Sequence, residues 1–271
     1  MRRKIFKGSE ISEIVKILSF REARSEGMED WKLNIESRFR KACAEYGLLE
    51  DGDRVLVGLS GGKDSLMLVR LLGGQAKIYK PRIEVIAAYI SVSNIGYQAD
   101  VDYLSAFCAE HGVRFEHVVT SYEEQEPQHR NKNHCFLCAR YRRKALLETA
   151  RRLECNKIAF GHHRDDIVQT LLMNMTLTGN ISTMPPKLKL DKMPITIIRP
   201  LCLIDEADIR AVAEADGFHK QVKQCPYEHE TARNSAAGIL KAMEKLNPDV
   251  RSSLWAAMEN IKTDYLPERI K

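Results

Sequence analysis

Residues 60–65 read Ser-Gly-Gly-Lys-Asp-Ser, and those residue types in that order make an anion site. Adjacent glycines let the backbone approach a ligand closely, the serines add hydroxyl donors, and Lys63 adds a point charge. The run follows a short apolar stretch, Arg54–Leu59, and precedes Leu66, Met67, Leu68, Val69, Leu71 and Leu72. A strand that turns through glycine into a helix aims the first helical N–H groups, and the positive end of the dipole, at the turn. The implied chemistry is phosphate binding by Ser60, Gly61, Gly62, Lys63, Asp64 and Ser65. Lys63 and Asp64 are expected to point into a solvated loop. A Walker A loop needs Ser or Thr after the lysine, and here Asp64 follows Lys63.

A second group is built from thiols. Cys135 and Cys138 form a C-x-x-C at the mouth of a basic helix, with Arg140, Arg142 and Arg143 just behind. A helix N-terminus and neighbouring guanidinium groups favour thiolates. The pair alone is ambiguous among zinc, iron–sulfur and redox roles. Cys225, beside Pro226 in a turn, is a candidate third member. Three thiolates underfill a structural zinc site and suit a 4Fe–4S cluster with one iron open. Cys43, Cys108, Cys155 and Cys202 sit in helix or strand contexts and read as buried small apolar residues.

The elements that must position these groups alternate. Strands are expected at Arg54–Leu59, Arg82–Ile90, Val113–Val119, Lys157–Phe160 and Ile195–Ile198. Helices are expected between them, with Gly73-Gly74 ending the first and Asp165 or Asp166 capping the one after residue 166. This is an α/β pattern: a parallel five-stranded sheet with helices on both faces, whose ligands bind beyond the carboxyl ends of the strands. Residues 179–194 and 121–133 read as loops. Residues 1–50 read as a helical extension, 51–225 as the main domain, and 226–271 as C-terminal helices packed on it.

Composition sets the remaining bounds. The 271 residues are 44% hydrophobic and 29% charged, ordinary for a globular protein. No apolar run reaches the roughly 20 residues that span a bilayer. The basic N-terminus is not followed by the apolar stretch of a secretory signal, so a cytoplasmic protein is expected. Seven cysteines, an odd number, argue against a disulfide framework. A net charge of +5 permits a polyanionic partner.

SGGKDS resembles the PP-loop of the ATP pyrophosphatases, which cleave ATP between its α- and β-phosphates. Together with C-x-x-C and Arg140–Arg143, GHHRDD at 161–166, MPPKL at 184–188 and IRPL at 198–201, it resembles the tRNA 2-thiocytidine synthetase family of iron–sulfur-dependent tRNA thiolases. The chain has no cysteine after Cys225 and lacks the N-terminal zinc-finger cysteines of the 2-thiouridine branch.

The resemblance implies an enzyme that adenylates a pyrimidine C2 oxygen of tRNA, with cytidine 32 the favoured target, and replaces it with sulfur. It implies ATP, Mg²⁺ and a 4Fe–4S cluster. Lys63, Asp64, Cys135, Cys138 and Cys225 would be catalytic. Ser60 to Ser65, Tyr89 near the adenosine, Arg142, Gly161 and Asp165 would form the nucleotide site. Cys135, Cys138 and Cys225 would ligate the cluster. Arg38, Arg140, Arg143, Lys187 and Lys189 would meet tRNA. The sulfur donor would be a cysteine desulfurase persulfide or free sulfide, and a homodimer is an option. The alternatives are a 2-thiouridine enzyme, a lysidine-type PP-loop ligase, and an iron–sulfur carrier or sensor without catalysis.

Overall fold

The computed structural model describes residues 32–93, 99–121, 134–219 and 232–267. Cys225, the helix expected near Ile11–Leu18 and most of the loop before His134 lie outside them. The elements run α1 (residues 32–45), β1 (Asp53–Leu59), α2 (Lys63–Ala76), β2 (Ile83–Val92), α3 (Val101–Glu110), β3 (Arg114–Thr120), α4 (His134–Arg152), β4 (Lys157–Ala159), α5 (Arg164–Met173), β5 (Lys187–Lys189), β6 (Thr196–Ile198), α6 (Glu206–Ala215), α7 (Ala232–Glu244) and α8 (Val250–Glu259).

The strands form one sheet in the order β3-β2-β1-β4-β6-β5. All pairs are parallel except β5–β6. The alternation of strand residues sorts the core into two layers. Val55, Val57 and Leu59 of β1, with Val85, Ala87 and Tyr89 of β2, pack with α1, α2, α3 and α6. Leu56, Ile86, Ala88 and Ile90 pack on the other face with Ala145, Leu146 and Ala150 of α4. Both faces are covered, which is why β1 and β2 read as near-continuous apolar runs. Among the described residues no helix is long and apolar enough to cross a membrane.

Three expectations change. A sixth strand, β5, lies inside the stretch read as loop; its residues are all exposed at the sheet edge, so it carries no apolar signature. Gly73-Gly74 does not end α2, which continues to Ala76. A Cβ on Gly73 would stand 2.5 Å from the His111 carbonyl oxygen, so this glycine marks a close backbone approach. The cap of α5 is His163: its side chain accepts from the Asp166 N–H, and the Asp166 carboxylate accepts from the His163 N–H.

Candidate active site

The turn between β1 and α2 is tied by its own serines. Ser65 Oγ donates to the Gly62 carbonyl at 2.9 Å, accepts from the Ser60 N–H at 3.2 Å and lies 3.0 Å from Ser60 Oγ. Gly61 has φ +81°, a left-handed conformation that favours glycine, and Gly62 caps α2. Gly161, leaving β4, backs directly onto this turn. A Cβ there would meet the Asp64 carbonyl carbon and oxygen at 3.0 Å. Gly161 is therefore a spacer that lets the β4 exit lie against the anion loop.

Lys63 and Asp64 do not point into open solvent. Lys63 Nζ stands 3.0 Å from Asp64 Oδ1 and 3.0 Å from Glu206 Oε1. Glu206, in the first turn of α6, also accepts from Arg210 at 2.9 Å. Burial opposes its charge, but the hydrogen bonds from Lys63 and Arg210 prevail and hold its pKa down to about 2. Burial likewise opposes the Lys63 charge, and Asp64 and Glu206 outweigh it to raise the ammonium's pKa.

Asp165 stands one layer behind. Its carboxylate is buried, accepts from the Glu206 N–H at 2.8 Å and pairs with Arg251. It therefore fixes the start of α6, and with it Glu206. Glu206 was not singled out from the sequence. The usable signal was an acidic residue opening the helix after the last parallel strand, because that turn returns to the carboxyl edge where the anion loop lies.

A cleft of about 720 Å³ opens beside the loop, between α4 and the carboxyl ends of β1, β2, β4 and β6. Ser60, Arg142, Arg143, Phe160, His162 and Arg199 line it. The Nε of Arg142 is buried with no hydrogen-bond partner among the described residues, as fits a group kept for an anion. Tyr89 reaches this edge, but its ring is 2% exposed in the opposite layer, stacked on His117, with its hydroxyl accepting from the Ala99 N–H at 2.8 Å. Tyr89 still belongs to the cleft lining, together with its neighbours Ala88 and Ile90, whose side chains pack on the α4 face of the sheet.

Helix α4 joins the cleft to the cysteines. Cys135, Cys138 and Arg142 are spaced i, i+3, i+7, one helical stripe. Cys138 is half-buried against Val92 and Leu137 at the end of β2, and Cys135 is exposed. At 1.5 Å rise per residue, Cys138 lies about 6 Å along the axis from Arg142 and Cys135 about 10 Å. The other cysteines differ. Burial pushes the thiols of Cys43, Cys108 and Cys202 up to about 12 and raises that of Cys155, so all four are held as thiols.

The basic residues expected to meet tRNA separate into two kinds. Arg38 pairs with Asp205 at 2.9 Å and Asp208 at 3.1 Å. Lys187 donates to the Gly47 carbonyl at 2.6 Å and pairs with Glu50 at 3.1 Å. Both are internal clamps. Arg140 and Arg143 instead line a groove on α4 with Phe136, Lys144, Leu147 and Arg151.

Residues 31–235 match the model of a family described as a PP-loop domain. A tRNA-cytidine(32) 2-sulfurtransferase of Geotalea uraniireducens (strain Rf4) is 35% identical over 242 residues, covering 87% of this chain and 94% of that relative. One of the same name from Geobacter sulfurreducens (strain ATCC 51573 / DSM 12127 / PCA) is 34% identical over 236 residues, covering 86% and 91%. Among solved structures, the U34-tRNA thiolase NcsA from Methanococcus maripaludis, with its 4Fe–4S cluster, superposes with a TM-score of 0.69 at 26% identity, covering 87% of this chain and 81% of that one.

Proposed function

Because the chain belongs to the PP-loop family and, within it, to the tRNA-cytidine(32) 2-sulfurtransferases, we propose that it uses ATP to replace the C2 oxygen of cytidine 32 in tRNA with sulfur. The observation that carries this reading is the continuity of α4, which aligns Cys135 and Cys138 with Arg142 at the cleft beside the anion loop.

The carbonyl oxygen of a pyrimidine is a poor leaving group, and adenylation converts it to AMP. The loop's N–H groups and serine hydroxyls bind the phosphates of ATP, and Lys63 and Arg142 stabilise the charge that develops during transfer. Asp64 and Glu206 hold Lys63 in the meantime and lie beside the phosphates, where Asp64 would meet Mg²⁺. Asp165 acts through Glu206 as a positioning residue, and Gly161 keeps room for the loop. The target nucleotide must leave its stack to reach the cleft. Arg140, Arg143 and Arg151 on α4 supply phosphate contacts to tRNA, with Phe136 as an exposed aromatic face beside them.

Cys135 and Cys138 fit the cluster by donor type and by their shared helical face, and Cys225 is assigned as the third ligand. When bound, a 4Fe–4S cluster supplies the sulfur chemistry. The reading goes with a cytoplasmic enzyme and a sulfur donor of the persulfide or free-sulfide class.

The test is anaerobic reconstitution with iron and sulfide, followed by nucleoside analysis of unmodified tRNA incubated with ATP. The expected product is 2-thiocytidine at position 32. Cys135→Ala, Cys138→Ala and Cys225→Ala should each lower bound iron and abolish thiolation, while Cys43→Ala and Cys155→Ala should retain both. A colourless wild-type protein holding stoichiometric zinc would overturn the cluster, and a different thionucleoside would overturn the target.

A further inference from the structure

Arg199 has no part in the reading above, yet it is built into the same cleft. It follows β6 and is 7% exposed. Its N–H donates to the Pro186 carbonyl at 2.8 Å, and its Nη1 donates to the Pro185 carbonyl at 2.5 Å. The MPP segment leading into β5 thus holds Arg199 twice, its backbone through the Pro186 carbonyl and its guanidinium through the Pro185 carbonyl. The Nε remains buried with no hydrogen-bond partner among the described residues, as does that of Arg142. Arg143 brings a third guanidinium to the lining, and none of the residues lining the cleft is Asp or Glu. Burial disfavours the Arg199 charge, Cys202 opposes that shift in part, and the charge of Arg143 adds to it. A desolvated cation with spare donors and no counter-charge is costly unless a ligand supplies the anion.

We propose that Arg199 and Arg142 form a two-guanidinium receptor for one phosphate group, making Arg199 a substrate-binding residue. The forked donors of arginine match the paired oxygens of a phosphate, and the apolar walls at Leu146, Phe160 and Ile197 keep the pairing dry. Two sources share this chemistry: the α-phosphate that passes from ATP to the activated base, and a backbone phosphate of the tRNA nucleotide entering the cleft. The role of Arg142 rests on the nucleotide reading above; that of Arg199 rests on the geometry of the cleft.

The experiment uses the full chain and measures the affinity of Arg199→Gln for a non-hydrolysable ATP analogue and for unmodified tRNA, with melting temperature as the control for folding. One affinity should fall by about tenfold or more, as loss of a charge-assisted pair predicts, in a variant that still melts as a folded protein above the assay temperature. A loss confined to the ATP analogue assigns the α-phosphate. A loss confined to tRNA, with a salt dependence reduced by about one charge, assigns the backbone phosphate. If both affinities stay within about twofold of wild type, the receptor does not exist. Should Arg199→Gln unfold, Arg199→Lys keeps the charge but lacks the fork; it should still lose about fivefold or more in one affinity, and wild-type binding of both ligands by that variant would overturn the proposal. Lys63→Ala separates the two levels. If it loses the ATP analogue while the Arg199 variants keep both ligands, only this inference falls; if it also keeps the analogue, the nucleotide reading falls.

Discussion

The two ends of the sheet use the same charged residue types in opposite ways. At the amino ends, Asp53 opens β1 and Lys157 opens β4, with Nζ 2.6 Å from Oδ2 and side chains 4% and 5% exposed. Lys157 also donates to the Leu48 carbonyl at 2.9 Å, and Asp53 accepts from the Glu50 N–H at 2.6 Å and Asn156 Nδ2 at 2.8 Å. These groups are saturated from within. At the carboxyl ends, Lys63, Asp64 and Glu206 keep 27%, 29% and 33% exposure, and two buried arginine Nε atoms lack protein partners among the described residues. The first network is closed and holds the fold. The second is open, and its two arginines with unpaired Nε atoms line the cleft. A buried charge is thus informative about function by what it leaves unpaired, more than by being buried.

Substitutions at the two ends should separate activity from stability. Lys63→Ala is expected to have the largest effect on turnover: a loss of tRNA-dependent pyrophosphate release of about 10²-fold or more, because it removes charge stabilisation in the transition state. Its melting temperature should stay close to wild type, since Asp64 and Glu206 are solvated enough to stand alone. Full pyrophosphate release by this variant would sink the anion-loop assignment.

Lys157→Met should show the reverse pattern. It strands the Asp53 carboxylate in a dry site, and breaking a buried pair from one side costs about 3–5 kcal/mol. Urea denaturation should show that loss, while turnover measured where the variant is folded should be near normal. A stable Lys157→Met protein would mean that the amino-end network is not the closed structural device described here.

The sequence made the sheet's centre legible and its edge illegible, for one physical reason. β1, β2, β4 and β6 lie in the buried part of the sheet and leave apolar runs; β3 shows half-buried alternation; β5 is three exposed residues that exist by pairing with β6. The anion loop was legible because its backbone needs glycine at left-handed φ and serines at both ends, which are local demands. Glu206 and Arg199 were not legible as candidate site residues, since their proposed roles come from where β6 ends in space. Tyr89 shows the converse: its position at the edge was readable, but a single step of strand alternation turns its ring into the core. Gly73 likewise reads as a stop in sequence and is a contact in three dimensions.

The smallest expected effect concerns Glu206, and its size tests the contrast between the two ends. Its pKa is lowered from 4.5 to about 2 in the folded chain. A lowered carboxyl pKa contributes stability that is full above the unfolded value and is lost as pH falls through the folded one, so the window here runs from pH 4.5 down to about 2. With its side chain 33% exposed, solvent screening leaves about 1 kcal/mol of that contribution. Subtracting the denaturation curve of Glu206→Gln from that of wild type at pH 5 and pH 3 should isolate it: the two proteins differ by about that amount at pH 5 and converge toward pH 3. A weak lock suits the proposed chemistry, in which Lys63 would exchange Glu206 for a phosphate when ATP binds. If the difference at pH 5 were instead as large as that expected for Lys157→Met, Lys63 would be a closed structural pair like Lys157, unable to turn to a ligand, and the distinction between the two ends would fail.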